Sequence, residues 1–242
     1  MRLKHELRHF IQRFGIDIIR YPLHDSLART VRLLDHHRID LVVDVGANDG
    51  GFATGIRALG YSGRIVSFEP LKSPFQTLQR KAQSDGNWAA RQSAVGAESG
   101  AITINVAGNG GLSSSVLPML DSHTEVAPES RYVGAETVPQ DRLDSLLQDL
   151  GVGSENRVFL KVDVQGYERA VLDGAANLFA SGAIVGMQLE LSLVPLYGGA
   201  MTYREGLDRA ENLGMTLMGL DPVLADPKTG QLLQADAVFF AA

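Results

Sequence analysis

The residues between Asp44 and Gly51 have the types and the spacing of a ligand-binding loop. An apolar, β-branched run at 41–45, interrupted only by Asp44, leads into the sequence Gly46-Ala47-Asn48-Asp49-Gly50-Gly51. Apolar residues at helical spacing follow directly. A strand, a glycine-containing loop and a helix N-terminus in succession bring backbone amides close to a nucleotide-like ligand. We therefore predict a ligand site here, within an α/β fold.

The spacing within this loop distinguishes between candidate ligands. A dinucleotide fingerprint, G-x-G-x-x-G, requires glycine where this chain has Asn48, and the Gly-Lys-Ser/Thr of a phosphate-binding P-loop does not follow. A zwitterionic amino-acid tail fits better, because Asp44 can act on an ammonium group, directly or through water, while the loop amides meet a carboxylate. The candidate cofactor-binding residues of this loop are Asp44, Gly46, Ala47, Asn48 and Gly50.

A second acidic residue, Glu69, ends the next apolar run at 64–68. Its two carboxylate oxygens match the two vicinal hydroxyl groups of a ribose. An amino-acid tail together with a ribose specifies S-adenosylmethionine, which we predict as the cofactor. Further candidates for cofactor contacts are Pro70, directly after Glu69, and Ser93 and Ala94 in the third predicted strand, 88–95.

The sequence Lys161-Val162-Asp163-Val164-Gln165-Gly166 is the second candidate site. In a doubly wound sheet, ligands lie beyond the carboxyl ends of the central strands, where Asp163 is expected. Asp163 is the first catalytic candidate: it could orient the substrate nucleophile, take its proton or contact the ammonium of the cofactor. Glu190, at the end of another predicted strand, is the second.

Lys161 shares a strand face with Asp163 on a strand that should be buried, where an unpaired ammonium group is costly. We expect a carboxylate partner for it, with Asp44 on the neighbouring strand as the candidate. A structural ion pair without a catalytic role is the alternative. No metal site is assigned, and a divalent ion held by Asp163, Glu190 and Asp221 is the alternative there.

The elements that position these residues are predicted from periodicity. Strand-like and helical patterns alternate as β-α-β-α-β from 41 to 95, which indicates a parallel sheet with right-handed connections. Runs at 216–220 and 236–240 flank a turn-rich segment and predict a hairpin with one antiparallel strand. Two capping boxes, Ser73 with Gln76 and Thr202 with Glu205, predict helix starts. The predicted fold class is α/β, with a mostly parallel sheet and helices on both faces.

Domain organisation follows from the same patterns. Residues 39–242 form one predicted domain, in which the less regular segment 96–139 is a lid or substrate-binding insert. Residues 1–38 form a predicted helical segment packed on the core. Its first helix, 1–20, carries arginines opposite an apolar face. The functional hypothesis is contact with an anionic membrane surface or a position over the active site, and plain packing on the domain is the alternative.

Composition restricts the function classes. The chain has 242 residues, a net charge of −6 and no cysteine, which argues against disulfides, thiolate chemistry and a bulk electrostatic affinity for nucleic acid. No apolar run reaches the roughly 20 residues of a membrane span, and no signal-peptide pattern opens the chain. Nucleic-acid methylation is further disfavoured because no Asp/Asn-Pro-Pro-aromatic sequence follows the Asp163 strand. We predict a cytoplasmic protein without a nucleic-acid partner, and no oligomeric state is assigned.

The motifs taken together resemble the FkbM family of S-adenosylmethionine-dependent methyltransferases. The resemblance runs from about residue 14 to the C-terminus and rests on residues 44–50, 68–70, 161–168 and 171–174, with Ser113-Ser114 and 138–147. It implies a seven-stranded class I methyltransferase (Rossmann-like) fold and O-methylation of hydroxyl groups on sugars or natural products. Gln165 departs from the family, which commonly has Glu at this position.

Three functional hypotheses follow. The first is an O-methyltransferase acting on a hydroxyl of a glycan, glycolipid or secondary metabolite. The second is a non-catalytic small-molecule-binding protein that retains the fold. The third, a nicotinamide-dependent oxidoreductase, is weakened by Asn48 and by the lack of a Tyr-x-x-x-Lys acid/base pair.

Overall fold

The computed structural model describes residues 25–241, which fold around a central seven-stranded sheet. The helices within this range are α1 (Ser26–His36), α2 (Gly51–Ala58), α3 (Lys72–Gln83), α4 (Asp121–Thr124), α5 (Leu143–Gln148), α6 (Glu168–Gly174), α7 (Ala176–Ala180) and α8 (Tyr203–Asn212), with a 3-10 turn at Pro128–Ser130. The strands are β1 (Leu41–Val45), β2 (Arg64–Phe68), β3 (Trp88–Arg91), β4 (Ala94–Val95), β5 (Gly100–Ala107), β6 (Tyr132–Asp141), β7 (Val158–Val162), β8 (Ile184–Ser192), β9 (Met215–Ala225) and β10 (Leu232–Ala241).

The central sheet has the strand order β3-β2-β1-β7-β8-β10-β9. Its strands run parallel from β3 to β8, while β10 is antiparallel to both β8 and β9. The prediction of a mostly parallel sheet with one antiparallel strand from a C-terminal hairpin is therefore confirmed. The order reverses between β1 and β7, and the crevice at such a switch point is where α/β sheets bind ligands.

Helices cover both faces of this sheet, as predicted. The first face packs its apolar side chains against α1, α2 and α3, through residues such as Leu34, Ile56 and Leu78. The second face packs against α5 to α8, through residues such as Leu147 and Leu172. Both β1 and β7 are buried along their whole length, because each strand lies between two neighbours and beneath two helical layers.

The two predicted capping boxes have different outcomes. Thr202 and Glu205 form the expected reciprocal pair at the start of α8. The box at Ser73 is wrong, because α3 already begins at Lys72 and Leu71 precedes it without a side-chain cap. The Leu71 amide donates instead to the Glu69 carboxylate (2.8 Å), which fixes the chain just before the helix. The Glu69 carboxylate thus occupies the turn that leads into α3.

The insert is more regular than its sequence indicates. The predicted third strand divides: β3 pairs with β2, while β4 joins a separate three-stranded sheet of order β4-β6-β5. Strand β6 lies in a region without a strong sequence pattern, and it pairs with β5 along most of its length. Its alternate side chains face solvent on a small sheet, so few of them need to be apolar.

The N-terminal prediction is only partly covered by the described residues. Helix α1 occupies the expected residues 26–36, and the Asp25 side chain caps it by accepting from the Ala28 amide (2.8 Å). The predicted basic helix at 1–20 lies outside the described range. Within residues 25–241, no helix combines the length and the apolar character that a membrane span requires.

Candidate functional site

The β1 loop and the end of β7 meet at the switch point because Gly46 permits a very close approach. A Cβ atom at position 46 would lie 1.8 Å from the backbone oxygen of Asp163, and the residue has φ +79°. No L-residue with a side chain fits this position. Gly46 therefore brings the predicted cofactor loop and the candidate catalytic residue into contact.

The amides of the loop are used within the protein, which differs from their expected role as donors to a ligand carboxylate. The Gly46 and Ala47 amides both donate to the Phe68 carbonyl (3.0 Å each), and the Gly50 amide donates to Ala47 (2.9 Å). The Asn48 amide donates to Glu69 Oε2 (2.8 Å). Within the described residues, the amides at 51–53, in the first turn of α2, are the ones left with no intrahelical acceptor.

Glu69 lies at the end of β2, where the sequence places it, and is only 5% exposed. Oε2 accepts from the Asn48 amide and Oε1 from the Leu71 amide, at 2.8 Å each. Each oxygen keeps a second lone pair for a ligand hydroxyl. Burial raises the pKa of Glu69 to about 7, against the opposing effect of the two amides.

A first cavity, partly open to solvent, lies beside Glu69. Its lining brings together six of the predicted cofactor-binding residues and Asp163, and adds residues of the insert. The predicted residues that line it are Gly46, Asn48, Glu69, Pro70, Ser93, Ala94 and Asp163; those from the insert include Ile104, Leu112 and Ser115.

Three predicted cofactor residues have other positions. Ala47 lines a different, second cavity. Gly50 lines neither cavity: it is the N-cap of α2, and a side chain there would meet Trp88 at 2.9 Å. Asp44 is fully buried and lines neither cavity, so its contact with a ligand ammonium stays a prediction.

The inferred partner of Lys161 is present. Its Nζ lies 3.5 Å from Asp44 Oδ1 and 3.2 Å from Asp163 Oδ2, and the Phe52 ring lies 5.4 Å away. Burial alone would lower the pKa of Lys161, but the two carboxylates reverse that effect and raise it. Asp44 has no other hydrogen-bond partner among the described residues. The lysine is thus a fixed cation that connects Asp44, beneath the loop, to Asp163 at the cavity wall.

The second cavity, of about 790 Å³, adjoins the first and is polar. Gly46, Asn48, Leu112 and Asp163 line both cavities. The charged residues along the second cavity are four carboxylates and one cation, namely Asp49, Asp163, Asp221, Asp236 and Lys161. Arg29 and Lys81, outside the lining, pair with Asp221 and Asp49, which leaves an excess of negative charge.

Two of the polar strand residues that line this cavity, Asp236 and Gln188, were not predicted from the sequence. Asp236 lies opposite both Glu190 and Asp221 in the sheet register, and burial together with Asp163 raises its pKa to about 6. Gln188 lies opposite Lys161. The sequence does contain a signal for both, because each is one of two polar residues at i and i+2 in an otherwise apolar strand.

Glu190, the second catalytic candidate, is 8% exposed and lines neither cavity. Its Oε2 accepts from the side-chain amides of Gln165 (2.7 Å) and Gln234 (2.8 Å). Burial, reinforced by Asp163, raises its pKa well above the ordinary value. Glu190 is thus enclosed by other side chains and does not face a ligand cavity. Its catalytic role stays a prediction.

A metal site is not formed by these carboxylates. Among residues 25–241, no three His, Asp or Glu side chains are grouped as a metal ion would require. The alternative set of Asp163, Glu190 and Asp221 is therefore not assembled in this structure.

Comparison with known proteins adds a family to this geometry. The sequence profile of the Methyltransferase FkbM domain matches residues 44–216, which is more than half of the chain. That range contains the loop, Glu69, Lys161, Asp163 and Glu190. No curated protein matches the chain.

Several solved structures are similar to this one. A methyltransferase FkbM from Methylobacillus flagellatus KT is 14% identical, with a TM-score of 0.48; the match covers 82% of this chain and only 43% of that one. Magnesium protoporphyrin IX methyltransferase from Synechocystis PCC 6803, solved with bound SAM, is 11% identical over 90% of this chain and 77% of that one, with a TM-score of 0.49. An rRNA methylase from Streptococcus thermophilus is 10% identical over 93% and 98%, with a TM-score of 0.50. At such identities the likeness is one of fold, that of the class I methyltransferases.

Proposed function

This chain belongs to the FkbM methyltransferase family, and from that premise we propose that it methylates a hydroxyl group of a small acceptor such as a sugar, a glycolipid or a natural product. Its methyl donor is S-adenosylmethionine. The cofactor supplies an activated methyl group on a sulfonium, so the protein has to align the acceptor oxygen and remove its proton.

The residues of the first cavity fit the adenosine half of this cofactor. Glu69 offers one free lone pair on each oxygen, which suits the two ribose hydroxyls. Apolar walls that include Phe68, Leu71 and Ile104 suit a base. Ser93 and Ala94 line the same cavity, and their contacts with the cofactor are part of this proposal.

The junction of the two cavities suits the amino-acid half. Asp163 is the charged residue that lines both cavities. Its side chain is 32% exposed, so its carboxylate can accept a hydrogen bond from an ammonium group. The α2 amides at 51–53 replace the loop amides as candidate donors to a carboxylate, because a helix N-terminus favours an anion. Gly51 and Phe52 line the second cavity at this end.

The second cavity is the proposed acceptor site. Its carboxylates can accept hydrogen bonds from several hydroxyl groups at once, which suits a sugar-like molecule. A polyanion such as a nucleic acid would meet an excess of negative charge there, so a neutral acceptor is favoured. Asp163 orients the acceptor hydroxyl and takes its proton as the oxygen–methyl bond forms. The sulfur–methyl bond would break in the same step and leave S-adenosylhomocysteine.

The observation that carries this proposal is that one carboxylate, Asp163, lines both cavities. The test is untargeted mass spectrometry of glycans and small molecules from cells with and without the protein. We expect a product heavier by one methylene with the wild type, and its loss with Asp163→Ala. An unchanged set of methylated products in both cases would contradict catalysis and favour a binding protein.

Cofactor choice has an independent test in thermal unfolding with added ligands. S-adenosylhomocysteine should raise the melting temperature, since a ligand that binds only the folded state stabilises it. NAD at the same concentration serves as the control and should have no effect. The reverse pattern would contradict the assigned methyl donor.

A further inference from the structure

We propose that Gln165 is a positioning residue for Asp163. Its side-chain amide holds Asp163 at the junction of the cavities and connects it, through hydrogen bonds, to the buried Glu190. This inference rests on the proposed role of Asp163. It concerns the residue at which this chain departs from the glutamate common in the resembling family.

The Gln165 side chain makes three hydrogen bonds. Nε2 donates to Asp163 Oδ1 (2.9 Å) and to Glu190 Oε2 (2.7 Å). Oε1 accepts from the Tyr197 hydroxyl (2.8 Å). Both N–H donors of the amide are therefore used, and the carboxylate oxygens, which accept, fix which end of the amide faces them.

The backbone of Gln165 is also held in place. Its φ of +54° is in the left-handed region, which is uncommon for a residue with a side chain. The backbone carbonyl of Gln165 accepts a hydrogen bond from the hydroxyl of Ser115, which belongs to the insert (2.6 Å). A conformation of this kind persists only when its surroundings determine it, and it tends to occur at functional sites. Here it turns the side chain back between β7 and β8.

The result is that both oxygens of Asp163 are held from opposite sides. Oδ1 accepts from Gln165, while Oδ2 lies 3.2 Å from Lys161 Nζ. The neutral amide lies between Asp163 and Glu190 and donates to both, so the two carboxyl groups are joined through hydrogen bonds rather than placed in direct contact. Asp163 therefore faces the cavities in one orientation before any ligand arrives, which is the preorganisation that binding and proton transfer require.

Gln234 provides a matched control. It is also a buried glutamine, 4% exposed, and its Nε2 donates to the same Glu190 Oε2 (2.8 Å). It lines neither cavity, and none of its hydrogen bonds involves Asp163. Gln165, by contrast, lines the first cavity. Loss of the amide at 234 therefore removes only a bond to Glu190, while loss of the amide at 165 removes such a bond together with the one to Asp163.

The first test is the affinity for S-adenosylhomocysteine, measured by calorimetry on the full chain. Gln165→Met, which keeps the shape and removes both donors, should weaken binding by at least about tenfold, in line with the loss of one hydrogen bond to a charged group. Gln234→Met should bind within about threefold of the wild type, although both variants melt at a lower temperature. Equal affinities for Gln165→Met and the wild type would overturn the proposal, and so would equal losses in the two variants.

The second test uses Gln165→Glu, which retains the side-chain size. The titratable groups around position 165 are Asp163 and Lys161 from β7, Glu168 from α6, Glu190 from β8, Asp236 from β10 and Tyr197. A glutamate at position 165 adds one more carboxyl group to this cluster. Because carboxyl groups so close together cannot all ionise, the variant should retain one more proton near neutral pH than the wild type does. Binding a ligand ammonium at Asp163 should release it.

Gln165→Glu should therefore release more protons on binding S-adenosylhomocysteine at pH 7 than the wild type does. The number comes from binding heats in buffers of different ionisation enthalpy. An unchanged number would overturn the proposal, even if Gln165→Met failed to fold. Failure of the wild type to bind S-adenosylhomocysteine would instead contradict the proposed function, so the two failures are distinguishable.

Discussion

The two cavities share a wall at Asp163 and differ in almost every other respect. The first has apolar walls, and Glu69 is its acidic residue away from that shared wall. The second is lined by four carboxylates and Lys161. The first is built mainly from sequence-adjacent elements, β1 to β4 with the insert, while the second joins α1 and α2 to β7, β8, β9 and β10.

This difference separates two physical tasks. An apolar slot with one carboxylate can bind a flat base and a ribose through burial and two hydrogen bonds. A cavity with an excess of carboxylates favours positively charged groups, such as an ammonium or a sulfonium. The same carboxylates can accept hydrogen bonds from the hydroxyl groups of the methyl acceptor. Asp163, at the boundary, belongs to both tasks.

The largest effect should come from the charges beneath the second cavity. Lys161→Met leaves Asp44 buried without a counter-charge, and breaking a buried pair in this way costs about 3–5 kcal/mol of unfolding free energy. Chemical denaturation measures it. The double variant Lys161→Met/Asp44→Asn should recover a large part of that loss. Purely additive effects in the double variant would show that the pair is not coupled.

The next effect separates the two cavities with a ligand fragment. Asp163→Ala should weaken S-adenosylhomocysteine by about 10–100-fold, as loss of a hydrogen bond to a charged group does. Adenosine, which has no amino-acid tail, should bind this variant as it binds the wild type. Glu69→Gln should weaken both ligands. Competition calorimetry gives the affinities, and a loss of adenosine binding in Asp163→Ala would contradict the division between the cavities.

The affinity of the first cavity should depend on pH. The pKa of Glu69 is raised to about 7 by burial, and ribose hydroxyls that donate to the ionised carboxylate would lower it in the complex. Binding below pH 7 therefore has to displace a proton, so affinity should fall by about tenfold from pH 8 to pH 6. Glu69→Gln should abolish this contribution. An equal pH dependence in that variant would assign the proton to another group.

The smallest effect should come from the boundary on the insert side. Leu112 lines both cavities and is 63% exposed, so a bound ligand would cover part of it. Leu112→Ala should weaken S-adenosylhomocysteine by a few-fold, or roughly 1 kcal/mol of lost apolar contact. Val133, an insert residue 73% exposed and away from both cavities, is the control. Equal effects of Leu112→Ala and Val133→Ala would contradict a boundary role for Leu112.

The same comparison explains which parts of the fold and the site were predictable. The β1 loop, Glu69 and their helices were found from sequence because the polar residues follow apolar runs within a few positions. The need of Lys161 for a carboxylate was also predictable, since a charge in a buried strand requires compensation wherever it occurs. Asp44 was the correct partner, because β1 and β7 are neighbours in this fold.

The cluster around Gln165 was not predictable in the same way. Apart from the bonds of Asp163 to Gln165 and Lys161, two positions away in each case, its hydrogen bonds join residues 25 to 84 positions apart, from Gln165–Glu190 to Tyr197–Ser113. Its only local signal is a repeated pattern of two polar residues at i and i+2 within buried strands: Lys161 with Asp163, Gln188 with Glu190, and Gln234 with Asp236. That pattern indicates a shared polar edge, but it does not say which side chains pair.

The insert and the start of α3 show the same limit of local reasoning. Strand β6 has a weak pattern because the small sheet buries few of its side chains. Ser73 does not cap α3, because the helix already begins at Lys72 and the Glu69 carboxylate accepts from the Leu71 amide just before it. The sequence by itself determined the fold class, the family and the methyl donor, because these depend on residue types at short, fixed spacing. Only the tertiary structure decided that the loop amides are bonded within the protein and that Asp44 is buried and pairs with Lys161. It also decided that Gln165 connects Asp163 to Glu190. Such pairings depend on strand register and on chain segments that meet only when the core packs.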